Sequence, residues 1–158
     1  MRGSINPYIL YVGNNYPHKN LDRLKLAHQK LVEDGLNYEL ILVTDYVSDK
    51  ELDELYKNAS LFVFPSLCEG FGLPPLEAMK RGVVVASSNA ACLPEILGGA
   101  AVYFNPLNVD DMALKIKQSL IDRDLREKLI SEGFERIKKY DWQKMARETL
   151  EIYKNVPM

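Results

Sequence analysis

Cysteine is scarce in this sequence, and the two cysteines that occur form no recognisable chemical centre. Cys68 and Cys92 lie far apart among the 158 residues, without CxxC spacing and without a neighbouring histidine. A zinc site needs closer pairs and more ligands. We therefore expect no metal site, and we expect both cysteines to be small buried residues in a reducing compartment.

Long apolar runs and strong charge of one sign are also absent. No stretch approaches the roughly 20 apolar residues that a membrane-spanning helix needs. Residues 1–4 resemble a vector-derived leader, and they enter a strand-like segment without a signal-peptide core. The formal charge of −2 and the dispersed basic residues give no surface for a nucleic acid. These absences predict a cytoplasmic protein that binds no nucleic acid.

Short apolar runs alternate with amphipathic stretches along the rest of the chain. Five runs have the composition of strands, at residues 8–13, 39–43, 61–65, 83–86 and 101–104. The runs at 39–43 and 83–86 are typical of buried strands. Helical patterns separate the runs, and two or three further helices follow residue 108. This alternation predicts one α/β domain over residues 5–158, a Rossmann-like, doubly wound parallel sheet of about five strands with flanking helices.

Capping residues mark the predicted helix boundaries. Ser48 and Glu51 fit a capping box at the start of the helix after the second strand. Pro74 and Pro75 are suited to the first turn of the next helix, where a missing backbone N–H costs nothing. Asp141 is positioned to cap the last helix.

The loop after the third strand has the strongest chemical signal. In the run Glu-Gly-Phe-Gly at residues 69–72, two glycines allow backbone amides to approach an anion just before a helix N-terminus, which favours a phosphate. Glu69 lies in this loop and Glu77 in the following helix, and carboxylates accept hydrogen bonds from hydroxyl-rich ligands. These residues alone are equally compatible with an ordinary strand-to-helix turn, because a Gly-x-Gly pair is a weak signal.

The segment from residue 65 to residue 79 resembles the Glu-x7-Glu motif of retaining glycosyltransferases with the GT-B fold. This group, known as glycosyltransferase group 1 or family 4, includes bacterial and archaeal mannosyl- and glucosyltransferases. Similar segments follow in family order at residues 11–20, 87–95, 105–106 and 140–142. The resemblance therefore covers nearly the whole chain, and it identifies the domain as the nucleotide-sugar-binding half of such an enzyme.

The resemblance implies a role for each residue of the motif. Glu69 would be the catalytic residue near the transferred sugar, and Glu77 would bind the ribose hydroxyls. Lys19 would neutralise the diphosphate, which leaves with added negative charge. Contacts to the donor are also implied for Gly70, Phe71, Gly72 and Leu73, and weaker ones for Gly13 and Asn14. Asn14 departs from the arginine of many relatives, so Lys19 would act with less help.

The donor implied by the resemblance is a nucleoside-diphosphate sugar, and no further cofactor is implied. The loop at residues 13–20 is similar to that of some bacterial mannosyltransferases, which favours GDP-mannose over a UDP- or ADP-sugar. Outside the motif, His18 is interpreted as a loop residue rather than a phosphate ligand. Glu95 is interpreted as a helix cap rather than a nucleotide contact, and Trp142 as an anchor of the terminal helix.

The chain departs from the family in two ways. The N-terminal domain, which would bind the acceptor, is missing. The parent enzyme would act at the cytoplasmic face of a membrane and would need this domain for transfer. We also expect a βα unit to be lacking near residues 43–45, because Val43 runs directly into a segment that relatives place after another helix and strand. Either the unit has been lost, or a segment is missing from the sequence.

Loss of the unit would weaken donor binding or leave a sheet edge open to pairing in a homo-oligomer. The parent would be a metal-independent, retaining glycosyltransferase, and this chain alone would be inactive. The alternative is a truncated, non-catalytic α/β scaffold with an incomplete nucleotide site.

Overall fold

A parallel sheet of five strands forms the centre of the molecule in a computed structural model that describes residues 6–155. The strands are β1 (Tyr8–Val12), β2 (Glu39–Val43), β3 (Leu61–Phe64), β4 (Val85–Ser88) and β5 (Ala101–Phe104). Their order across the sheet is β2-β1-β3-β4-β5, and all neighbours are parallel. The prediction of a Rossmann-like sheet of five strands is confirmed. Residues 1–4, the predicted leader, lie outside the described residues.

Helices connect the strands and cover the sheet. They are α1 (Leu21–Glu33), α2 (Asp49–Asn58), α3 (Leu73–Lys80), α4 (Leu93–Leu97), α5 (Val109–Ile121), α6 (Arg123–Ile137) and α7 (Trp142–Lys154), with 3-10 turns at Pro17–Lys19 and Gly98–Ala100. Both sides of the Ser48–Glu51 capping box are formed, and the Asp141 carboxylate accepts a hydrogen bond from the Lys144 N–H at 2.6 Å. These two capping predictions are confirmed.

The core lies on both faces of the central strands. Every residue of β3 is buried, and so are Tyr8 and Tyr11 of β1. The Tyr11 and Phe64 rings stack with centroids 6.3 Å apart. Burial on both faces explains why these strands are continuously apolar, since every position in them except Val12 is buried.

Two strand predictions are wrong. β2 was expected to be buried, but it is the edge strand, and its last four residues are all partly exposed. The fourth strand was placed at residues 83–86, whereas β4 begins at Val85. The Val83 N–H is still bonded to the Ala78 carbonyl at 3.1 Å, so this residue closes the end of α3 before the ladder begins.

The crossover from β2 to β3 is complete despite the short join after Val43. Residues 44–60, which include α2, carry the chain past β1 to the other side of that strand. The short join after Val43 therefore does not prevent a parallel crossover, because α2 supplies the connection. The missing βα unit stays a prediction.

The last helix, α7, packs little against the rest of the chain. None of its residues is buried, and 68% of the Trp142 surface is exposed. The prediction that Trp142 anchors this helix is therefore wrong for the described residues. Among the same residues, no helix has the length and apolar character that a membrane crossing requires.

Candidate functional site

Loops from the carboxyl ends of several strands meet at one edge of the sheet, where ligands bind in open α/β sheets. Asn20 joins three of these loops. Its side-chain amide donates to the Pro65 carbonyl at 3.1 Å and to the Pro106 carbonyl at 2.8 Å. Asn20 is buried and adopts a left-handed backbone conformation, with φ of 60°. Asparagine adopts the left-handed conformation more readily than most residues. The sequence interpretation did not use this signal at Asn20.

Lys19 and Glu69 are brought together across two of these loops. The Lys19 Nζ lies 2.7 Å from Glu69 Oε1, and each side chain is only 12% exposed. Nζ also lies 5.6 Å from the centroid of the Phe64 ring. The ion pair explains how a cation is tolerated just before the N-terminus of α1, where the helix dipole disfavours positive charge.

The loop between Glu69 and α3 depends on one glycine more than on the other. Gly72 has φ of 94°, and a Cβ on it would lie 2.8 Å from the Leu93 Cδ2. Gly70 has open space around it. Phe71 and Leu73 are both exposed, and the Phe71 ring meets the Tyr140 ring edge-on with centroids 5.4 Å apart. Of the two glycines in this loop, only Gly72 is required by the backbone geometry.

Cys92 supports this loop from β4's side of the site. Its Sγ lies 3.3 Å from the Glu69 carbonyl and 3.6 Å from the Phe71 carbonyl. Burial raises the pKa of the Cys92 thiol, which favours its role as a neutral donor. Cys92 is half-buried and Cys68 is exposed. The expectation that both cysteines are buried is therefore wrong, since Cys68 lies in the exposed part of the loop.

Glu77 lies on α3, on the other side of the loop, and is oriented by a residue of α2. The Tyr56 hydroxyl donates to Glu77 Oε2 at 3.1 Å. Burial, followed by the Glu77 charge, holds the pKa of Tyr56 far above its usual value. Arg81 lies over the Tyr56 ring, 4.8 Å from its centroid, and pairs with Asp53 at 2.8 Å. Tyr56 comes from a distant helix, so the motif gave no sign of its contribution.

Gly13 and Asn14 belong to the same edge but contact other partners. The Gly13 N–H donates to the Val43 carbonyl at 3.0 Å, and the Asn14 carbonyl accepts from the Tyr11 hydroxyl at 2.8 Å. Burial and then the Glu69 charge raise the pKa of Tyr11. The Tyr11 hydroxyl therefore holds this loop through the Asn14 carbonyl.

The remaining sequence interpretations concern residues at the rim of the site. His18 is exposed, and its carbonyl accepts a hydrogen bond from the Leu67 N–H at 2.8 Å. Glu95 lies in the first turn of α4, which has no side-chain cap, so its predicted capping role is wrong. A groove of about 910 Å³ runs from Leu73 and Glu77 to Trp142 on α7. Among residues 6–155, no three His, Cys, Asp or Glu side chains are grouped so as to hold a metal ion.

Comparison with known proteins identifies the family. Residues 36–136 match the family described as glycosyl transferases group 1. The chain belongs to this family. The group 1 domain is 36% identical over 173 residues to O-antigen chain mannosyltransferase B of Escherichia coli, covering 93% of this chain and 45% of the relative. It is 38% identical over 117 residues to the serotype-specific mannosyltransferase WbdA of the same species, covering 74% of this chain and 14% of the relative. The domain therefore spans less than half of either relative.

Solved structures of GT-B enzymes share the fold of the group 1 domain. Trehalose-6-phosphate synthase of Escherichia coli, in a structure described as bound with UDP-2-fluoro glucose, matches with a TM-score of 0.82 at 16% identity, over 96% of this chain and 45% of that one. Sucrose-phosphate synthase of Thermosynechococcus elongatus matches with a TM-score of 0.78 at 22% identity, over 94% and 45%. The predicted assignment to one half of a GT-B fold is confirmed.

Proposed function

We propose that this group 1 domain binds a nucleoside-diphosphate sugar, as the donor half of a retaining, metal-independent glycosyltransferase. The observation that carries the proposal is the partly buried Lys19–Glu69 pair beside the glycine loop that precedes α3. A cation, a carboxylate and a helix N-terminus at one sheet edge supply the groups that a diphosphate and a sugar require.

Each residue has a part in the proposed site. Lys19 supplies positive charge to the diphosphate, in the place where other enzymes use a metal ion. Amides of Gly70, Phe71 and Gly72 approach the sugar and diphosphate, and Glu69 faces the sugar. Glu77, held by Tyr56 at 3.1 Å, accepts hydrogen bonds from the ribose hydroxyls. Leu73 packs against the nucleotide, and Gly13 and Asn14 line its far side.

We propose GDP-mannose as the donor. The two Escherichia coli relatives are named as mannosyltransferases, and the loop at residues 13–20 is similar to that of bacterial mannosyltransferases. UDP- and ADP-sugars are the alternatives. The acceptor half would be a further domain of a longer enzyme, because the matched relatives are more than twice as long as the matched region.

A thermal-shift screen tests donor binding. GDP, UDP and ADP and their sugars are each added in excess, and GDP or GDP-mannose is expected to raise the melting temperature most, since a ligand that binds only the folded state stabilises it. Lys19→Ala should reduce this shift. Lys25→Ala, on the exposed side of α1, is the matched control and should leave it unchanged. If none of the nucleotides changes the melting temperature, the domain is a scaffold without a working site.

A transfer assay tests the assignment to half an enzyme. The purified chain is expected to transfer no sugar from GDP-mannose to a mannoside acceptor, because the acceptor-binding surface lies in the missing half. Detectable transfer by this chain alone would contradict that assignment.

A further inference from the structure

β2 and β5 are the two edge strands of the sheet within the described residues, and the outer edge of β2 has no strand partner. β2 is the last strand in the order, and its inner edge is paired with β1. The Glu39 N–H donates to the Pro7 carbonyl at 2.9 Å, and the Val43 carbonyl accepts from the Gly13 N–H at 3.0 Å. Backbone groups of successive residues in a strand point in opposite directions, so alternate residues of β2 face away from β1.

The outward-facing backbone groups are those of Leu40 and Leu42. Their side chains are apolar and partly exposed. Natural proteins protect such edges with a lysine, a proline or a bulge. β2 contains no lysine and no proline. Its register with β1 is continuous from Glu39 to Val43, so it has no bulge either. The edge is therefore free to add another strand.

The alignment with the mannosyltransferase relative leaves room for the βα unit that we expect to be missing after Val43. The alignment has 173 positions but covers 93% of 158 residues, which is about 147. About 26 positions are therefore present in the relative and absent here. A strand followed by a helix fits this length, and a unit of that size beside β2 would cover the edge.

We propose that β2 pairs antiparallel with β2 of a second copy of this chain, about a two-fold axis at Ile41. In this register Leu40 lies opposite Leu42 of the second copy. The N–H of each of these two residues donates a hydrogen bond to the carbonyl of the other. Glu39 lies opposite Val43 and Asp45 opposite Asn37, so no like charges meet. Each contact is repeated by the symmetry axis, which makes the surface complementary to itself.

Charge substitutions test this register. Sedimentation velocity over rising concentration should show a dimer for the wild type. Leu40→Lys with Leu42→Lys places lysine opposite lysine, and the dissociation constant should rise by about tenfold or more. Leu40→Lys with Leu42→Glu places lysine opposite glutamate and should restore the dimer. Leu114→Lys, on the exposed face of α5, is the control and should leave the dimer unchanged.

Several results would overturn the pairing. They are a wild type that stays monomeric, self-association that survives in the double-lysine variant, and a folded lysine–glutamate variant that stays monomeric. Amide hydrogen exchange of the wild type gives a test that needs no variant. Exchange at Leu40 and Leu42 should slow as the concentration rises, whereas exchange at Ile41 and Val43, which face β1, should not depend on concentration. Equal behaviour at all four amides would also overturn it.

Discussion

Lys19 and Glu69 are each other's nearest charged partners, although the proposed function gives them different parts of the donor. Their side chains lie 2.7 Å apart and are largely shielded from water. A diphosphate that uses the Lys19 charge has to compete with the Glu69 carboxylate for it. The ion pair therefore sets part of the free energy of donor binding.

Glu69→Gln should strengthen the binding of a nucleoside diphosphate that lacks the sugar. A neutral amide no longer holds the Lys19 charge, so the diphosphate does not have to compete for it. Loss of the partly buried ion pair should therefore raise the affinity for the nucleoside diphosphate roughly threefold to tenfold. Isothermal titration calorimetry with GDP measures the change, and Glu127→Gln, exposed on α6, serves as the control. Weaker binding would show instead that Glu69 positions Lys19 for the diphosphate.

The motif residues could be predicted from the sequence, but the residues that hold them in place could not. Spacing alone put Glu69 in the loop and Glu77 in α3. Tyr56 and Cys92 reach these residues from elements that are distant in the sequence. Tyrosine in a helix and cysteine before a helix are ordinary in those positions, so only the three-dimensional arrangement shows what they support.

At the level of elements, the entry into α3 depends on Gly72. Gly72→Ala should lower the free energy of unfolding by about 1–3 kcal/mol, because a Cβ is strained at this positive φ and meets Leu93. Gly70→Ala is the matched control in the same loop and should change stability by less than about 0.5 kcal/mol, since its surroundings are open. Urea denaturation of both variants measures the difference. Equal effects would contradict the assigned role of Gly72.

The strands were predictable because continuous apolar runs are a strong signal, but their positions in the sheet were not. β2 has the composition of a buried strand and nevertheless lies at the edge. Its neighbours decide its burial, and they come from other parts of the chain. The same reason applies to α7, which Trp142 was expected to anchor although none of the helix residues is buried.

For the whole molecule, the buried Tyr11 and Tyr56 and the partly buried Tyr103 predict a loss of stability at alkaline pH. Burial raises the pKa of Tyr11 and Tyr56, and it raises the pKa of Tyr103 to about 12 from the ordinary value of 10.0. The unfolded chain ionises first, so this stabilisation is complete below about pH 10 and is lost as the pH rises toward the folded pKa.

Denaturant unfolding checks this dependence. The free energy of unfolding should be lower at about pH 11 than at about pH 8, because only the unfolded tyrosines release their protons. Tyr103→Phe should weaken the dependence, although it also removes the hydrogen bond to the Gly98 carbonyl. Tyr46→Phe, at an exposed position, is the control and should keep the dependence unchanged. Equal stability at both pH values would contradict the prediction.

The proposal that this domain holds a nucleoside diphosphate is tested most directly by calorimetry of the wild type and of Glu77→Ala. GDP should bind the wild type saturably. Glu77→Ala should bind roughly 10-fold to 100-fold more weakly, because hydrogen bonds to a charged carboxylate contribute about 1.5–3 kcal/mol. Glu127→Ala should bind like the wild type. Donor binding at this site is contradicted if GDP, UDP and ADP all give no heat of binding, or if Glu77→Ala binds GDP as tightly as the wild type.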